Sequence, residues 1–560
     1  MSYPIITHRL TKALIACLVL FLTSPVFSLS FFDEGNPEDL AFSIEQAMGD
    51  EQALAQVFML GWVGAEPSPL IMDWIRGRNI GGVKIFGWNT EDTLLLAKTV
   101  GILQEASLEG PFGIPLLVAT DQEGGWIRHV KGSTSETPGN MAIGASGYPR
   151  DSYLAGYYIG KELALLGINM NFAPTVDLYT NRGSSLIGPR AFGSDPVNVG
   201  ILGAAFMKGQ QAAGIIPTAK HYPGHGDTEL DSHGVLPHID APFETLWDRE
   251  LVPYRMLFNE GLPALMTGHI AFPNTESASA PASLSPWFLN DILRKKMGYD
   301  GVVITDDLMM NGATVWAGSL SRAAKQALLA GNDIILFSKT PNLYDQVWVM
   351  LSNSMKDDEE FRLRVREAAR RTLAIKLRYM RGDNAVPFVP NLQKAEEGIP
   401  DPDGSSFFMN LAARSVTVVK PTDGQYPGSP LFPLTPENAG KVLLTGQYLD
   451  FFKVGKAAFP GAISYWYSES FDINDLFAYA GRADTVIFCL SDTEGVRILR
   501  RLESLKKRVI VISVLNPVYL ERVPWVDGAV AVYSYAVESL AAGFSVITGR
   551  ITAEGRLPYE

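Results

Sequence analysis

Cysteine is nearly absent from this chain. Its 560 residues hold two, Cys17 and Cys489, so no CxxC pair exists for zinc or thiol chemistry. Cys489 sits in the apolar run TVIFCL and reads as a core residue. Basic residues are outnumbered, 47 against 60 acids, for a formal charge of −13. With no large basic patch, nucleic acid and anionic membrane surfaces are excluded as partners. Heptads and low-complexity tracts are missing, and histidine is scarce at seven.

The apolar run at the N-terminus is short. His8, Arg9 and Lys12 precede Ala13 to Leu22, and small residues surround Val26-Phe27-Ser28. That pattern is a secretory signal over residues 1–28, too short for a comfortable membrane span. Cys17 has almost no apolar run before it, which argues against lipidation. Removal of the signal takes away Arg9 and Lys12 and no acid, leaving a charge of −15 and one cysteine. The expectation is an exported protein (periplasmic, cell-envelope or extracellular) without an intrachain disulfide.

What is present is regular. Eight apolar runs alternate with segments of helical period at 57–63, 82–87, 115–121, 169–177, 215–221, 264–269, 301–306 and 332–338. The helical segments fall near 67–77, 91–108, 149–167, 195–213, 243–260, 285–297 and 318–330, with a last one at 358–381. Eight such units predict an α/β fold, a (β/α)8 TIM-like barrel over 36–381, with its site at the C-terminal strand ends. Asp121, Asp177, Lys220 with His221, His269 and Asp306 stand at those ends. Charge there, on otherwise apolar strands, points to an enzyme.

Residues 382–404 are rich in Pro, Gly and acids and read as a linker. Apolar runs at 416–419, 441–445, 485–490, 508–514 and 528–533 then predict a smaller α/β sandwich with a mostly parallel sheet over 405–560. That region has no GxGxxG and no P-loop, so no nucleotide is assigned to it.

The densest chemistry lies in KHYPGHGDTELDSHGVLPHID, residues 220–240, which hold four of the seven histidines. His221 and His225 share the i, i+4 spacing of a zinc helix, but Pro223-Gly224 breaks any helix between them, so no metal is expected. Asp231 and His233 are two apart, and side chains at that spacing point the same way in extended chain. A carboxylate beside an imidazole sets its tautomer and favours its protonated form. His225 and His238 have no evident role beyond the loop. In GVVITDDLMM, an apolar strand delivers Asp306 and Asp307; one should face the barrel mouth and the other can cap the next segment.

Together DQEGG (121–125), TPGNMAIGA (137–145), NFAPTVDLYTN (171–181), GPRAFGSDP (188–196), KHYPGHGDTELDSHGVLP (220–237) and GYDGVVITDDLMM (298–310) resemble glycoside hydrolase family 3, in its β-N-acetylglucosaminidase branch. FFMNLAARSVTVVK (407–420) and the final GRLPYE resemble the entry and end of that family's second domain. The resemblance implies a retaining exo-β-N-acetylglucosaminidase with no cofactor, acting on oligosaccharides from cell wall or chitin, and so a part in peptidoglycan turnover. It makes Asp306 the nucleophile and Asp231–His233 the acid/base dyad. It places Asp121, Arg190, Lys220 and His221 on the terminal sugar. The family usually follows DQEGG with Arg-Val-x-Arg; here Trp126-Ile127-Arg128-His129 stand there, so Arg128 or His129 fills the second arginine's binding role. Trp88 also stands where an arginine is common. Trp88 and Trp126 suit either sugar stacking or packing. The rival readings are a family 3 glycoside phosphorylase, a β-glucosidase, and a non-catalytic envelope sugar-binding protein.

Overall fold

The computed structural model describes residues 29–184, 186–228, 236–419, 432–468 and 472–559. The expected signal at 1–28 and the Asp231–His233 dyad lie outside these residues. No helix among the described residues is long and apolar enough to cross a membrane.

Each of the eight apolar runs contains a strand: β1 Phe58–Gly61, β2 Gly82–Ile85, β3 Leu117–Thr120, β4 Met170–Asn171, β5 Ile216–Tyr222, β6 Ala264–Thr267, β7 Val302–Asp307 and β8 Ile334–Phe337. They pair in parallel in chain order, and β1 closes on β8 with Phe58 opposite Ile335. Side chains alternate along each strand. Met59, Leu117, Met170, Ile216, Met266 and Ile304 join one core cluster. Phe58, Leu60, Val83, Ile85, Val118 and Val303 join another with the surrounding helices. Lys84 lies between Val83 and Ile85, which puts it on the barrel-interior side of β2.

Every expected helical segment is helical, two of them with a difference, and Pro37–Ala47, Asp50–Gln56, Asn140–Ser146, Asn311–Ala317 and Gln346–Asp357 are further helices that the sequence pattern did not mark. The stretch at 243–260 is two helices, Phe243–Asp248 and Leu251–Asn259. Pro253 lacks the N–H that a continuous helix would donate to Arg249, and its ring would crowd that carbonyl. The segment Trp287–Lys296 is a π-helix. The expected linker also holds a helix, Leu392–Gly398, and helix Pro402–Ser415 starts inside it. This connector lies against the barrel: Ala395 and Ile399 are buried, and Lys161 pairs with Asp401 at 2.5 Å.

The second domain has strands β9 Thr417–Val419, β10 Val442–Gly446, β11 Ile463–Trp466, β12 Thr485–Leu490, β13 Arg508–Ser513 and β14 Gly528–Ala531. Their order is β9-β14-β13-β12-β10-β11, and only β9 runs antiparallel to its neighbour. Cys489 is buried in β12, and burial pushes its thiol up, as fits a core residue. The domain meets the barrel through an apolar patch that includes Met141, Tyr179, Ile187, Tyr533 and Tyr559. Asn516 donates to the Tyr179 hydroxyl at 2.9 Å, and Arg414 grips Asp151 through two hydrogen bonds of 3.2 and 2.6 Å. The C-terminal tail returns to the barrel, where the Ser194 N–H donates to the Pro558 carbonyl at 3.1 Å.

Candidate active site

The C-terminal ends of the strands converge on one charged cluster. Asp121 follows β3 directly. One of its oxygens takes the Lys220 ammonium from β5; the other takes Lys84 from β2 at 2.7 Å. Lys220 also reaches Glu123 at 2.6 Å. Glu123 in turn holds Arg190 in a two-pronged pair, Nε to Oε2 at 2.9 Å and Nη2 to Oε1 at 2.7 Å. Fork-to-fork pairing of this kind fixes both position and angle. Lys84, Lys220 and Glu123 are at most 2 % exposed in their side chains.

Burial alone would raise both carboxyls. The cations outweigh it: Lys220 and Lys84 hold Asp121 well below the carboxylate range, and Arg190 and Lys220 hold Glu123 at about 2. Burial pulls both lysines down; Asp121 and Glu123 reverse this for Lys220, while Lys84 remains lowered.

His221 is set from behind by Asp177. Its Nδ1 lies 2.7 Å from Asp177 Oδ2, and Asp177 Oδ1 accepts the backbone N–H of both His221 and His225. A carboxylate only accepts, so Nδ1 carries the proton and Nε2 faces Arg190 at 3.5 Å. Burial would raise Asp177, but the pair with His221 brings it to about 2. His225 is buried with no hydrogen bond to either ring nitrogen among the described residues, and burial pushes it down to about 4.

The two aspartates of β7 divide their work. Asp307 Oδ1 accepts from Met309 N and Ser338 N, both at 3.0 Å, and so ties the loop after β7 to the end of β8. Among the described residues, Asp306 takes only the backbone N–H of Asp307, at 2.8 Å. Burial works to raise the Asp306 carboxyl; His221, His269, that N–H and Lys220 outweigh it and hold it below its ordinary value. His269 donates from Nε2 to the Asp307 carbonyl at 3.1 Å and takes the Ser283 hydroxyl on Nδ1 at 2.7 Å. Burial pushes the His269 imidazole down, against the pull of Asp306 beside it.

The segment after Asp121 is a small hairpin. Gln122–Gly124 pairs with Ile127–Arg128, and the turn between them uses positive φ at Gly124 and Gly125, 95° and 62°. The hairpin brings the chain back so that the His129 N–H donates to the Asp121 carbonyl at 3.0 Å. Neighbouring residues of an extended chain point to opposite sides. His129 therefore faces Asp121, with Nδ1 3.6 Å from Oδ2. Arg128 faces away, bonded to the Thr134 and Ser135 carbonyls and paired with Glu136 at 3.1 Å. Of the two candidates for the displaced arginine, it is His129 that joins the cluster, and Arg128 does not. Trp88 gives one face to Phe86 at 4.5 Å and its N–H to the Trp62 carbonyl at 2.7 Å; the indole is 46 % exposed, as Trp126 is at 38 %.

Asp121, Arg190, Lys220, His221 and Asp306 are thus brought together, as expected from the sequence. Reading the sequence missed two members and the pairing of a third. Lys84 was hidden in the strand run GVKIFG, although a lysine in an apolar strand is itself a signal, since it must be paired. Glu123 lay unremarked within DQEGG. Asp177 was noted as a strand-end acid without its two histidine partners. Among the described residues, no group of three or more His, Cys, Asp or Glu is arranged to hold a metal ion.

A closed parallel barrel with buried carboxylates and cations at its C-terminal mouth is an enzyme-type site. Residues 51–375 match the "Glycosyl hydrolase family 3 N terminal domain", and the chain belongs to glycosyl hydrolase family 3. It is 37% identical over 285 residues to "Beta-hexosaminidase A" of Pseudoalteromonas piscicida, a match spanning 48% of this chain and 47% of that protein. It is 32% identical over 429 residues to "Beta-N-acetylglucosaminidase/beta-glucosidase" of Cellulomonas fimi, covering 74% of this chain and 71% of that one. A solved "glycoside hydrolase family 3 beta-N-acetylglucosaminidase" from Paenibacillus sp. str. FPU-7 superposes with a TM-score of 0.81 at 29% identity, over 92% of this chain and 99% of that chain.

Proposed function

We propose that this protein is an exported, retaining exo-β-N-acetylglucosaminidase that removes terminal N-acetylglucosamine from cell-wall fragments, with chitin oligosaccharides as the near rival. The observation that carries the reading is the Asp306 carboxylate. It stands at the end of β7 beside His221 and His269, while Asp307 is occupied in capping the loop. Family membership and the names of the relatives support the sugar class.

Asp306 attacks the anomeric carbon and expels the aglycone oxygen, which His233 protonates while Asp231 orients it. Water then attacks the glycosyl-enzyme with His233 as base, and two inversions at one carbon give retention. The parts of Asp231 and His233 in this scheme rest on the sequence motif, since both lie outside the described residues. Asp121, Lys220, Arg190 and His221 form the terminal-sugar subsite, with Glu123 and Asp177 fixing Arg190 and His221 from behind. No metal or organic cofactor enters the scheme.

The test is nitrophenol release from the N-acetylglucosaminide. Asp306→Ala should abolish it and Asp307→Ala should leave measurable turnover; the reverse order would move the nucleophile to Asp307. His233→Ala should lose most with poor leaving groups, and equal losses across leaving groups would remove its acid role. A histidine acid/base repels phosphate less than a carboxylate would. Sugar 1-phosphate formed in phosphate buffer would therefore turn the reading to a phosphorylase.

A further inference from the structure

We infer that Lys84 is a positioning residue that holds His129 as an uncharged hydrogen-bond donor to a hydroxyl of the terminal sugar. This rests on the reading of the Asp121 cluster as the terminal-sugar subsite. The Lys84 side chain is 1 % exposed and points into the barrel. Its ammonium lies 2.7 Å from Asp121 Oδ2, 3.1 Å from His129 Nδ1 and 2.9 Å from the Ile85 carbonyl. An ammonium has three N–H donors and no acceptor. All three are engaged, so Lys84 cannot itself touch a sugar.

The same count settles the imidazole. Facing an ammonium, His129 Nδ1 must accept, which leaves the ring proton on Nε2. Nδ1 is turned inward to Lys84 and Asp121, and no hydrogen bond to Nε2 occurs among the described residues. The His129 side chain is 30 % exposed against 16 % for Asp121 and 2 % for Lys220, so it is the open edge of the cluster. Phe86 holds the pair from the side: the Lys84 ammonium sits 4.2 Å from its ring centre, and the Phe86 and His129 rings are 5.7 Å apart.

Charge balance gives the arrangement its purpose. Lys84, Lys220 and Arg190 already face two carboxylates, Asp121 and Glu123. A charged side chain at position 129 would add a fourth cation to that site. Instead, the positive charge stands at 84, buried behind Asp121, and position 129 presents a neutral N–H. The groups acting on His129 are Lys84 from β2, Asp121 and Glu123 after β3, and Lys220 from β5. Burial and then Lys84 push the imidazole down to about 4, against the pull of the two carboxylates.

The tautomer can be read directly. In the full chain labelled with 15N-histidine, with the His129→Gln variant assigning the signal, wild-type His129 should show the neutral Nε2–H form from about pH 5 to 8. In Lys84→Met, Asp121 faces the ring without Lys84 between them, and His129 should titrate near the ordinary histidine value of about 6.5 or above. A wild-type His129 that titrates in that range, or carries its proton on Nδ1, overturns the inference; should Lys84→Met not fold, the wild-type spectrum alone decides. With the N-acetylglucosaminide, Lys84→Met and His129→Phe should each lower kcat/KM by about 10- to 100-fold. The double variant should lie within about threefold of the worse single one, whereas losses that multiply would mean that Lys84 does not act through His129. Should the wild type release no N-acetylglucosamine, the substrate reading fails, and the spectrum still decides the Lys84–His129 pair.

Discussion

Glu123→Gln should unfold the barrel more easily and disarm the site, and the size of the effect can be worked in two ways. Glu123 receives three charge-assisted hydrogen bonds, two from Arg190 and one from Lys220. Its side chain is 1 % exposed, so solvent screens little of this. Glutamine keeps one acceptor oxygen but turns an N–H toward a cation that can only donate. Removing one partner from such a buried pair costs about 3 to 5 kcal/mol. The carboxyl sits at about 2 against its ordinary 4.5. At about 1.4 kcal/mol per tenfold of proton affinity, that difference is worth about 3 kcal/mol. The sign follows from the lowered value. The stabilisation is complete above the unfolded value near 4.5, and it is lost as the pH falls toward 2. Urea unfolding followed by tryptophan emission is the assay, because eight of the ten tryptophans lie in the barrel. Wild type should exceed Glu123→Gln by about 3 kcal/mol at neutral pH, and the gap should close progressively in acid. With Arg190 and Lys220 freed to shift, kcat/KM should fall about 100-fold. A gap below about 1 kcal/mol at neutral pH, or one that does not change with pH, would refute the reasoning.

Other outcomes follow from single contacts. Arg128→Gln should change kcat/KM less than about threefold and His129→Gln more than about tenfold, because only the second side chain faces Asp121; parallel kinetics check this. Gly226→Ala should lower the yield of folded protein sharply, since an added Cβ would stand 1.6 Å from the Leu178 carbonyl; soluble expression and thermal midpoint report it. Lys376 is fully buried with one partner among the described residues, Gln56 Oε1 at 2.9 Å, and burial pushes its ammonium down to about 7. Its value is lowered on folding, so the unfolded chain binds more protons between about 7 and 10.5, and wild-type stability rises with pH across that range. Lys376→Met should therefore raise the thermal midpoint at pH 7 and below, with the advantage fading toward pH 10.

Much of the fold was legible because its signals are local. An apolar run of six to nine residues followed by an amphipathic segment is written in consecutive residues, and all eight barrel strands form on such runs. The strand-end acids and cations were visible for the same reason: charge on an apolar strand is conspicuous. The helix break at 249–250 was written only indirectly, in Pro253. The helix at 392–398 was hidden because its stability comes from Ala395 and Ile399 packing on the barrel rather than from its own composition.

The sequence by itself determined the eightfold unit, the second sheet, the positions of the charged groups and the family. These depend on periodicity and on motifs read along the chain. Only the tertiary structure decided which charges meet. Lys84 and Lys220 reach one carboxylate from strands far apart in sequence, and Asp177 holds His221 from the neighbouring strand's loop. The hairpin's twofold alternation turns His129 inward and Arg128 out, and Asp307 takes the loop caps that leave Asp306 free. Pairing between distant residues depends on closure of the barrel. In a buried site it also sets protonation, because the charge of each group is decided by its neighbours across space.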